Sequence, residues 1–96
     1  MAYVVIATWQ AKPGEGGRIG KILRTVTPIN RAEPKMLEFQ AHTSTEDPDT
    51  FVIYEKYTDA SGYDDHRATE AFQTYVIGEV IPNLADRSVR TFHTLD

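Results

Sequence analysis

The sequence predicts an α+β domain in which one antiparallel sheet of four strands carries helices on one face. Two observations predict it. Four short segments are rich in β-branched and aromatic residues, and the stretches after the first and the third of them have helical character. The resulting order, β-α-β-β-α-β in 96 residues, fits a ferredoxin-like arrangement and one domain spanning residues 1–96.

The first third of the chain contains one strand and the longer helix. Tyr3 to Ala11 is rich in β-branched and aromatic residues and stops before Pro13-Gly14, which predicts strand 1. Apolar residues then recur with helical spacing at Ile19, Ile22, Leu23, Val26 and Ile29. Pro28 interrupts this pattern near its end, and Pro34 closes the connection to the next strand.

The rest of the chain contains three strands and two shorter helical segments. The strands are predicted at Lys35 to Thr43, Thr50 to Thr58 and Ser88 to Leu95, with a polar turn at Ser44 to Asp49. Asp59 can cap a short helix over Ala60 to Ala68. Thr69 can cap a second helix that reaches Val80 or Ile81, before Pro82.

Both sides of the central strands are apolar. In strand 3, Phe51, Ile53 and Tyr57 share one side, while Val52 and Tyr54 share the other. Strand 1 alternates apolar residues in the same way. The helices can cover only one side of the sheet, and a large exposed apolar face usually marks an interface. We therefore predict a homodimer that packs sheet to sheet.

The composition excludes several classes of function. A formal charge of −4 and a pI near 5.3 argue against binding to nucleic acid or to anionic membranes, since both attract basic surfaces. The chain has no cysteine, so disulfides, thiolate catalysis and cysteine metal sites are excluded. No apolar run is long enough to span a bilayer, and the N-terminal segment lacks the features of a signal peptide. The expected location is the cytoplasm.

A glycine-rich stretch, AKPGEGGRIGK at residues 11–21, resembles a phosphate-binding loop at first sight. The P-loop spacing fails, because Glu15 stands where the first glycine is required and Ile22 stands where the hydroxyl is required. The dinucleotide fingerprint fails as well, at Ile19. The stretch is therefore interpreted as a turn from strand to helix with a loosely wound first helical turn.

Three pieces of sequence, taken in order, resemble one protein family. Lys12-Pro13-Gly14 precedes helix 1, and Arg31-Ala32-Glu33-Pro34 leads into strand 2. The third piece combines Asp47-Pro48, Tyr54-Glu55-x-Tyr57 and His66-x-x-Thr69-x-x-Phe72. Over residues 3–95 the chain resembles the antibiotic biosynthesis monooxygenase (ABM) domain, whose members are often called quinol monooxygenase-like. The resemblance implies a ferredoxin-like dimeric α/β barrel.

The resemblance also implies a chemistry. Members that work as oxygenases bind a flat polycyclic phenol or quinol between the sheet and the helices. The deprotonated substrate itself supplies the electrons that activate O₂, so neither a metal nor a flavin is expected as a cofactor. Such a protein needs an apolar pocket with a few polar groups and a small aromatic ligand to fill it.

Individual positions carry over from the family. His66 matches the family's helical histidine, Glu55 its glutamate and Phe72 its wall phenylalanine, while Tyr57 stands where several members have tryptophan. One departure is Ile53, at a strand 3 position where well-studied members have asparagine.

Strand 1 and the second helical segment depart from the members that degrade heme. Those members carry asparagine at the position of Ala7, a heme-ligating histidine at the position of Val76 and tryptophan at the position of His66. The resemblance therefore does not extend to heme degradation.

His66 and Glu55 are the predicted catalytic residues. A histidine titrates near neutral pH and can take a phenolic proton, although it can equally be a structural residue bonded to a backbone carbonyl or to Glu55. Glu55 can orient His66, or it can form a salt bridge with Arg31 or Arg67. The predicted substrate-binding residues are Trp9, Phe39, Ile53, Tyr57, Phe72 and Tyr75, whose alternative role is core packing.

No metal site is predicted. His42, His66 and His93 are the only histidines, and none is spaced as a helical ligand pair. A hydrolase is not supported either, because the chain has no Gly-x-Ser-x-Gly motif.

Three functional hypotheses follow. The first is a cofactor-independent monooxygenase that oxidises a small aromatic, quinol or polyketide-type substrate with O₂. The second is a non-catalytic dimeric binding protein of the same fold, which Ile53 and Ala7 favour. The third is isomerase or cyclase chemistry in the same pocket.

Overall fold

The computed structural model describes all 96 residues, Met1–Asp96. The strands are β1 (Tyr3–Ala11), β2 (Met36–Thr43), β3 (Thr50–Tyr57) and β4 (Leu84–His93). The helices are α1 (Gly16–Arg31), α2 (Ala60–Ala68), a π-helix (Phe72–Val80) and a short 3₁₀ turn (Ile81–Asn83). The predicted β-α-β-β-α-β order is therefore confirmed. The helical stretch between β3 and β4 consists of α2, the π-helix and the 3₁₀ turn.

The four strands form one antiparallel sheet in the order β2-β3-β1-β4. The central strand β1 pairs with β3 and β4, and its Val5 lies opposite Glu55 on one side and Thr91 on the other. A bulge in β2 between Met36 and Glu38 shifts the register with β3. The ferredoxin-like fold class predicted from the sequence is confirmed.

The core lies between the helices and one face of the sheet, which we call the inner face. Its largest fully buried side chains are Val5, Ile19, Ile53, Tyr57 and Val80. These come from β1, β3, α1 and the π-helix, so the core joins elements from both halves of the chain. Burial of this apolar surface is the main stabilising contribution to such a small fold.

The apolar face of α1 ends differently from the prediction. Ile29, the last apolar residue of the predicted pattern, is 45% exposed, and the neighbouring Asn30 is only 4% exposed. Asn30 follows Val26 by four residues, so it lies on the same side of the helix as the apolar residues before it. Ile29 therefore does not continue the buried face of the helix, and an amide takes its place.

Pro28 does not end the helix. α1 continues through Pro28 to Arg31, because a proline in the last turn removes only one backbone hydrogen bond, to the carbonyl of Arg24. Strand β4 also begins earlier than predicted, at Leu84 instead of Ser88, since it pairs with β1 as far as Ala11.

The glycine-rich turn before α1 binds a carboxylate of the protein itself. The backbone N–H groups of Gly14 and Gly16 donate to the two carboxylate oxygens of Asp49, at 3.2 and 2.9 Å. Gly14 has a φ of +83°, and a Cβ on Gly16 would lie 2.2 Å from the carbonyl oxygen of Pro48. Asp49 thus caps α1 from another loop.

The helical stretch that leads into the π-helix begins directly after Thr69, as the sequence predicts. The Oγ1 atom of Thr69 accepts from the N–H of Phe72 at 3.1 Å. At the far end, the N–H of Ile81 bonds the carbonyl of Val76, five residues earlier, which is the π-helical pattern. This winding turns Phe72, Val76 and Val80 toward the core.

The opposite side of the sheet, which we call the outer face, has no helix over it. Strand alternation and register place five large side chains there: Val4, Ile6, Val52, Tyr54 and Phe92. Val52 is 37% exposed and Phe92 is 47% exposed in the single chain. No helix of the protein has both the length and the apolar character needed to cross a membrane.

Candidate functional site

His66 lies near the end of α2, and close packing of this helix buries its imidazole. Asp59 caps the helix by accepting from the N–H of Ser61 at 2.8 Å. A Cβ on Gly62 would lie 2.8 Å from the Tyr57 ring, so only glycine lets α2 approach β3 this closely. His66 is consequently 4% exposed and faces the inner face of the sheet.

The partner of His66 is Glu33. The Nδ1 atom of His66 lies 2.9 Å from Oε2 and 3.2 Å from Oε1 of this carboxylate. Glu33 belongs to the connection after α1, thirty-three residues from His66 in sequence. We predicted a backbone carbonyl or Glu55 as the structural partner, and the structure corrects this to Glu33. A carboxylate at Nδ1 keeps the proton on that nitrogen and leaves Nε2 as the basic atom.

Glu55 approaches the other nitrogen of His66. Its Oε1 lies 3.9 Å from Nε2 and accepts a hydrogen bond from the Tyr57 hydroxyl at 2.5 Å. Burial raises the pKa of Glu55 above its usual range, while the charge of His66 and the hydrogen bond from Tyr57 oppose that rise. Burial and the neighbouring Glu55 also raise the pKa of the Tyr57 hydroxyl, which therefore stays protonated as a donor.

Neither of the salt bridges considered for Glu55 forms. Arg31 donates from Nε to the carbonyl oxygen of Phe39 at 3.1 Å, and Arg67 pairs with Asp64 at 2.5 Å. Glu55 thus lies beside a histidine and a tyrosine on the inner face, and its role in orienting His66 stays a prediction.

A small cavity opens beside this cluster, between the sheet, α1 and the π-helix. Its volume is about 30 Å³, close to the share of one water molecule in the liquid. Most of the wall is apolar, and the polar wall residues are Asn30, Glu55 and His66. The ring of Phe72 stands edge-on to the imidazole, with centroids 5.3 Å apart.

The structure brings most of the predicted site residues together. The predicted residues that line the cavity are Trp9, Phe39, Ile53, Glu55, His66 and Phe72. Tyr57 lies behind Glu55 and is fully buried, and Tyr75 packs against the core outside the cavity wall. The assignment of the two tyrosines to substrate binding stays a prediction.

Sequence reasoning missed two polar residues of this site, Asn30 and Glu33. Glu33 stood inside one of the motifs that carried the family resemblance, but no role was assigned to it. Asn30 offered one signal, since it follows Val26 by four residues on an apolar helix face. None of the protein's side-chain hydrogen bonds involves the Asn30 carboxamide, which instead borders the cavity.

The remaining histidines lie elsewhere. His42 and His93 are exposed on β2 and β4, and no group of three or more His, Asp or Glu side chains is arranged to hold a metal ion. A larger open groove of about 360 Å³ runs between α1 and β2, past Arg24 and Arg31. It does not include His66, so we place the candidate site at the small cavity.

Comparisons with known proteins agree with this fold. The sequence model of a family described as antibiotic biosynthesis monooxygenase matches residues 2–76, which confirms the resemblance seen in the sequence. A comparison with curated proteins finds no match.

Solved structures give the same result. A Shewanella oneidensis protein is 26% identical, with a TM-score of 0.89 over 97% of this chain and 90% of its own. A Pseudomonas aeruginosa protein is also 26% identical, with a TM-score of 0.89 over 99% and 95%. A structure described as an antibiotic biosynthesis monooxygenase is 26% identical, with a TM-score of 0.88 over 98% and 99%.

Proposed function

The chain belongs to the antibiotic biosynthesis monooxygenase family, and on that premise we propose that it is a cofactor-independent monooxygenase. Its substrate is a small aromatic, quinol or polyketide-type compound, and its oxidant is O₂. One observation carries the proposal: a buried histidine, held at Nδ1 by the half-buried carboxylate of Glu33, borders an apolar cavity. This is the arrangement of a general base facing a bound phenol.

His66 is the base, and Glu33 positions it. With the proton kept on Nδ1 by Glu33, Nε2 is free to accept the phenolic proton of the substrate. Glu55, 3.9 Å from Nε2, then faces the imidazolium that forms. Removal of the proton makes the substrate an electron-rich phenolate, which can reduce O₂ directly.

The reaction balances without a cofactor. For an anthrone-type substrate in its enol form, whose former CH₂ carbon carries one hydrogen, His66 removes the hydroxyl proton and the resulting anion donates electrons to O₂. A C–O bond forms at the ring carbon para to the oxygen, and the peroxide takes the proton back from the imidazolium to give a hydroperoxide. Loss of the remaining C–H proton and cleavage of the O–O bond then leave a carbonyl group and water. The substrate is oxidised by four electrons, one oxygen atom enters the product, and the other leaves as water.

Substrate entry requires the cavity to open. A cavity of about 30 Å³ admits a molecule the size of water or O₂, whereas ligand pockets usually enclose about 300–1,000 Å³. We propose that the π-helix moves outward, because Phe72, Val76 and Val80 form one wall of the cavity. π-helices are rare and occur frequently at functional sites, which favours this segment as the moving part.

The second candidate is a non-catalytic binding protein, and the small volume of the cavity favours it. A site that never opened beyond one water molecule would be a packed core with a structural histidine. An isomerase or cyclase would use His66 for proton transfer alone and would need no O₂. These alternatives differ in oxygen consumption, so a single assay separates them from the monooxygenase.

We also propose that the protein forms a homodimer through the outer face. Val52 and Phe92 expose large apolar surfaces there, and proteins of this family are commonly dimeric. A second copy with the same face would cover these side chains symmetrically. The cytoplasmic location stays a prediction.

Oxygen uptake with a panel of anthrones and hydroquinones tests the proposal. We expect His66→Ala to lower kcat/KM by about 100-fold to 10,000-fold, the usual contribution of a general base. His42→Ala is the matched control, since His42 is an exposed histidine bonded only to the Val52 carbonyl, and it should leave turnover unchanged. Equal turnover in His66→Ala would contradict the role of His66.

Glu33→Gln separates positioning from folding. We expect kcat to fall while KM changes little, because the carboxylate contacts His66 and not the cavity. If the wild-type protein binds the aromatic compounds but consumes no oxygen, the binding-protein alternative is favoured. Product formation without oxygen would favour the isomerase or cyclase.

A further inference from the structure

The carboxamide of Asn30 is a polar group without a structural task. It lies in the last turn of α1, on the apolar side of the helix, and is 4% exposed. Only its backbone takes part in the turn that follows, where the carbonyl accepts from the N–H of Glu33 at 3.1 Å. Buried polar side chains are nearly always hydrogen-bonded, so an amide left facing a cavity needs a reason.

The position of this amide supplies the reason. Asn30 borders the same cavity as His66 and Glu55, and the rest of the wall is apolar. Among these three polar residues, the carboxamide has N–H donors that are always available, whatever the pH.

We propose that Asn30 is a catalytic residue that binds the oxyanion of the substrate. This inference rests on the proposed function: His66 removes the phenolic proton, and the Asn30 N–H donates a hydrogen bond to the phenolate oxygen that results. The two residues border the same cavity from different helices, His66 from α2 and Asn30 from α1. A donor preorganised in an apolar site stabilises developing negative charge far better than it would in water.

The reaction itself needs such a donor. Its phenolate forms in a cavity whose ionisable wall residues are Glu55 and His66. An anion beside a carboxylate is disfavoured, and the Asn30 amide offsets that repulsion without adding a charge of its own. The chain thus places the donor on α1, one turn before the residue that positions the base.

The binding test uses the fluorescence of Trp9, the single tryptophan, which also lines the cavity. The probes are hydroxynaphthoquinone, whose hydroxyl ionises in weak acid, and naphthoquinone, which lacks that hydroxyl. For Asn30→Leu we expect the affinity for hydroxynaphthoquinone to fall about tenfold or more, while the affinity for naphthoquinone changes less than about threefold. Asn30→Asp keeps the shape, loses the donor and should show the same selective loss.

Oxygen uptake and stability complete the test. With an anthrone that the wild-type protein oxidises, the kcat of Asn30→Leu should be about 100-fold lower. This is the usual effect of removing one hydrogen-bond donor to an oxyanion. Its urea midpoint should stay equal to that of the wild-type protein or rise, because the amide that is removed makes no hydrogen bond within the protein. A lower midpoint with unchanged binding would show a structural role and overturn the proposal.

Failure of this inference is distinguishable from failure of the proposed function. If no compound supports oxygen uptake but hydroxynaphthoquinone binds and Asn30→Leu loses that binding, the monooxygenase proposal fails and the role of Asn30 in binding stands. If the wild-type protein turns over and both Asn30 variants equal it, the function stands and the role of Asn30 is wrong. Absence of Trp9 quenching by either probe in the wild-type protein would also overturn the proposal.

Discussion

Polar side chains usually lie on the surface of a protein and apolar side chains in its interior, and the two faces of the sheet depart from this rule in opposite ways. The inner face, covered by helices, buries Glu55 and His66 in contact with Glu33 and a cavity. The outer face, open in the single chain, exposes Val52 and Phe92. The same strands produce both faces, because neighbouring residues point to opposite sides.

Each departure indicates a different task. Buried ionisable groups lower stability unless they are paired, so a protein keeps them where chemistry needs them. Exposed large apolar side chains favour association, so they mark the surface where a second copy packs. The inner face is therefore the candidate site and the outer face the candidate interface, and the following predictions test that division.

Two neighbouring residues of β3 give the largest contrast. Ile53 is 1% exposed on the inner face, so Ile53→Ala should lower the free energy of unfolding by about 2–5 kcal/mol. Val52→Ala, on the outer face, should cost less than about 0.5 kcal/mol at a protein concentration where the chain is monomeric. Urea unfolding followed by circular dichroism measures both, and equal costs would break the distinction between the faces.

The tight approach of α2 to the inner face gives the next effect. A Cβ on Gly62 would lie 2.8 Å from the Tyr57 ring and 3.0 Å from Cβ of Lys35, so Gly62→Ala should destabilise by about 1–3 kcal/mol. Gly17→Ala is the matched control, since nothing lies within 4 Å of its Cβ position, and it should stabilise by about 0.4–1 kcal/mol. The comparison of thermal midpoints is decisive: two stabilised variants would mean that α2 does not need this glycine.

The interface prediction concerns association instead of folding. Phe92→Asp places a charge on the outer face and should weaken dimerisation by about tenfold or more in Kd. Ile77→Asp changes a residue of similar exposure, 44%, on the π-helix and should leave Kd unchanged. Sedimentation velocity over a range of concentrations measures both, and a wild-type protein that is monomeric throughout would contradict the interface.

The smallest effect is a dependence on pH. Burial raises the pKa of Glu55 above its ordinary value of 4.5, so the folded chain binds this proton more tightly than the unfolded chain does. The contribution of Glu55 to stability is then full below pH 4.5 and is lost as the pH rises through the raised pKa. The side chain in Glu55→Gln cannot titrate. The free energy of unfolding of this variant, relative to that of the wild-type protein, should therefore rise as the pH increases from 4.5 through the raised pKa of Glu55.

Measuring the difference between the two proteins removes the groups that they share. The pKa values of Asp47 and Asp59 are lowered by their hydrogen bonds, and these residues titrate in both proteins. Asp64→Asn, at an exposed carboxylate, is the control and should show no such trend. A difference that stays flat or falls with rising pH would show that Glu55 is not disfavoured by burial.

The sequence by itself determined the elements and their order. Local patterns carry this information. Alternation of side chains indicates a strand, and a short polar residue such as Asp59 or Thr69 favours the start of a helix directly after it. It also determined that both sides of the central strands are apolar, and the family resemblance pointed to His66, Glu55 and Phe72 as site residues. Those conclusions depend on residues near one another in the chain or on whole motifs.

Only the tertiary structure decided which polar groups meet. Glu33 contacts His66 across thirty-three residues, and Asp49 caps the glycine turn from another loop. Either Ile29 or Asn30 fits the helical spacing after Val26, and the packing of α1 against the sheet selected Asn30. Contacts between distant segments depend on how whole elements dock to within an ångström, and no local pattern encodes that distance.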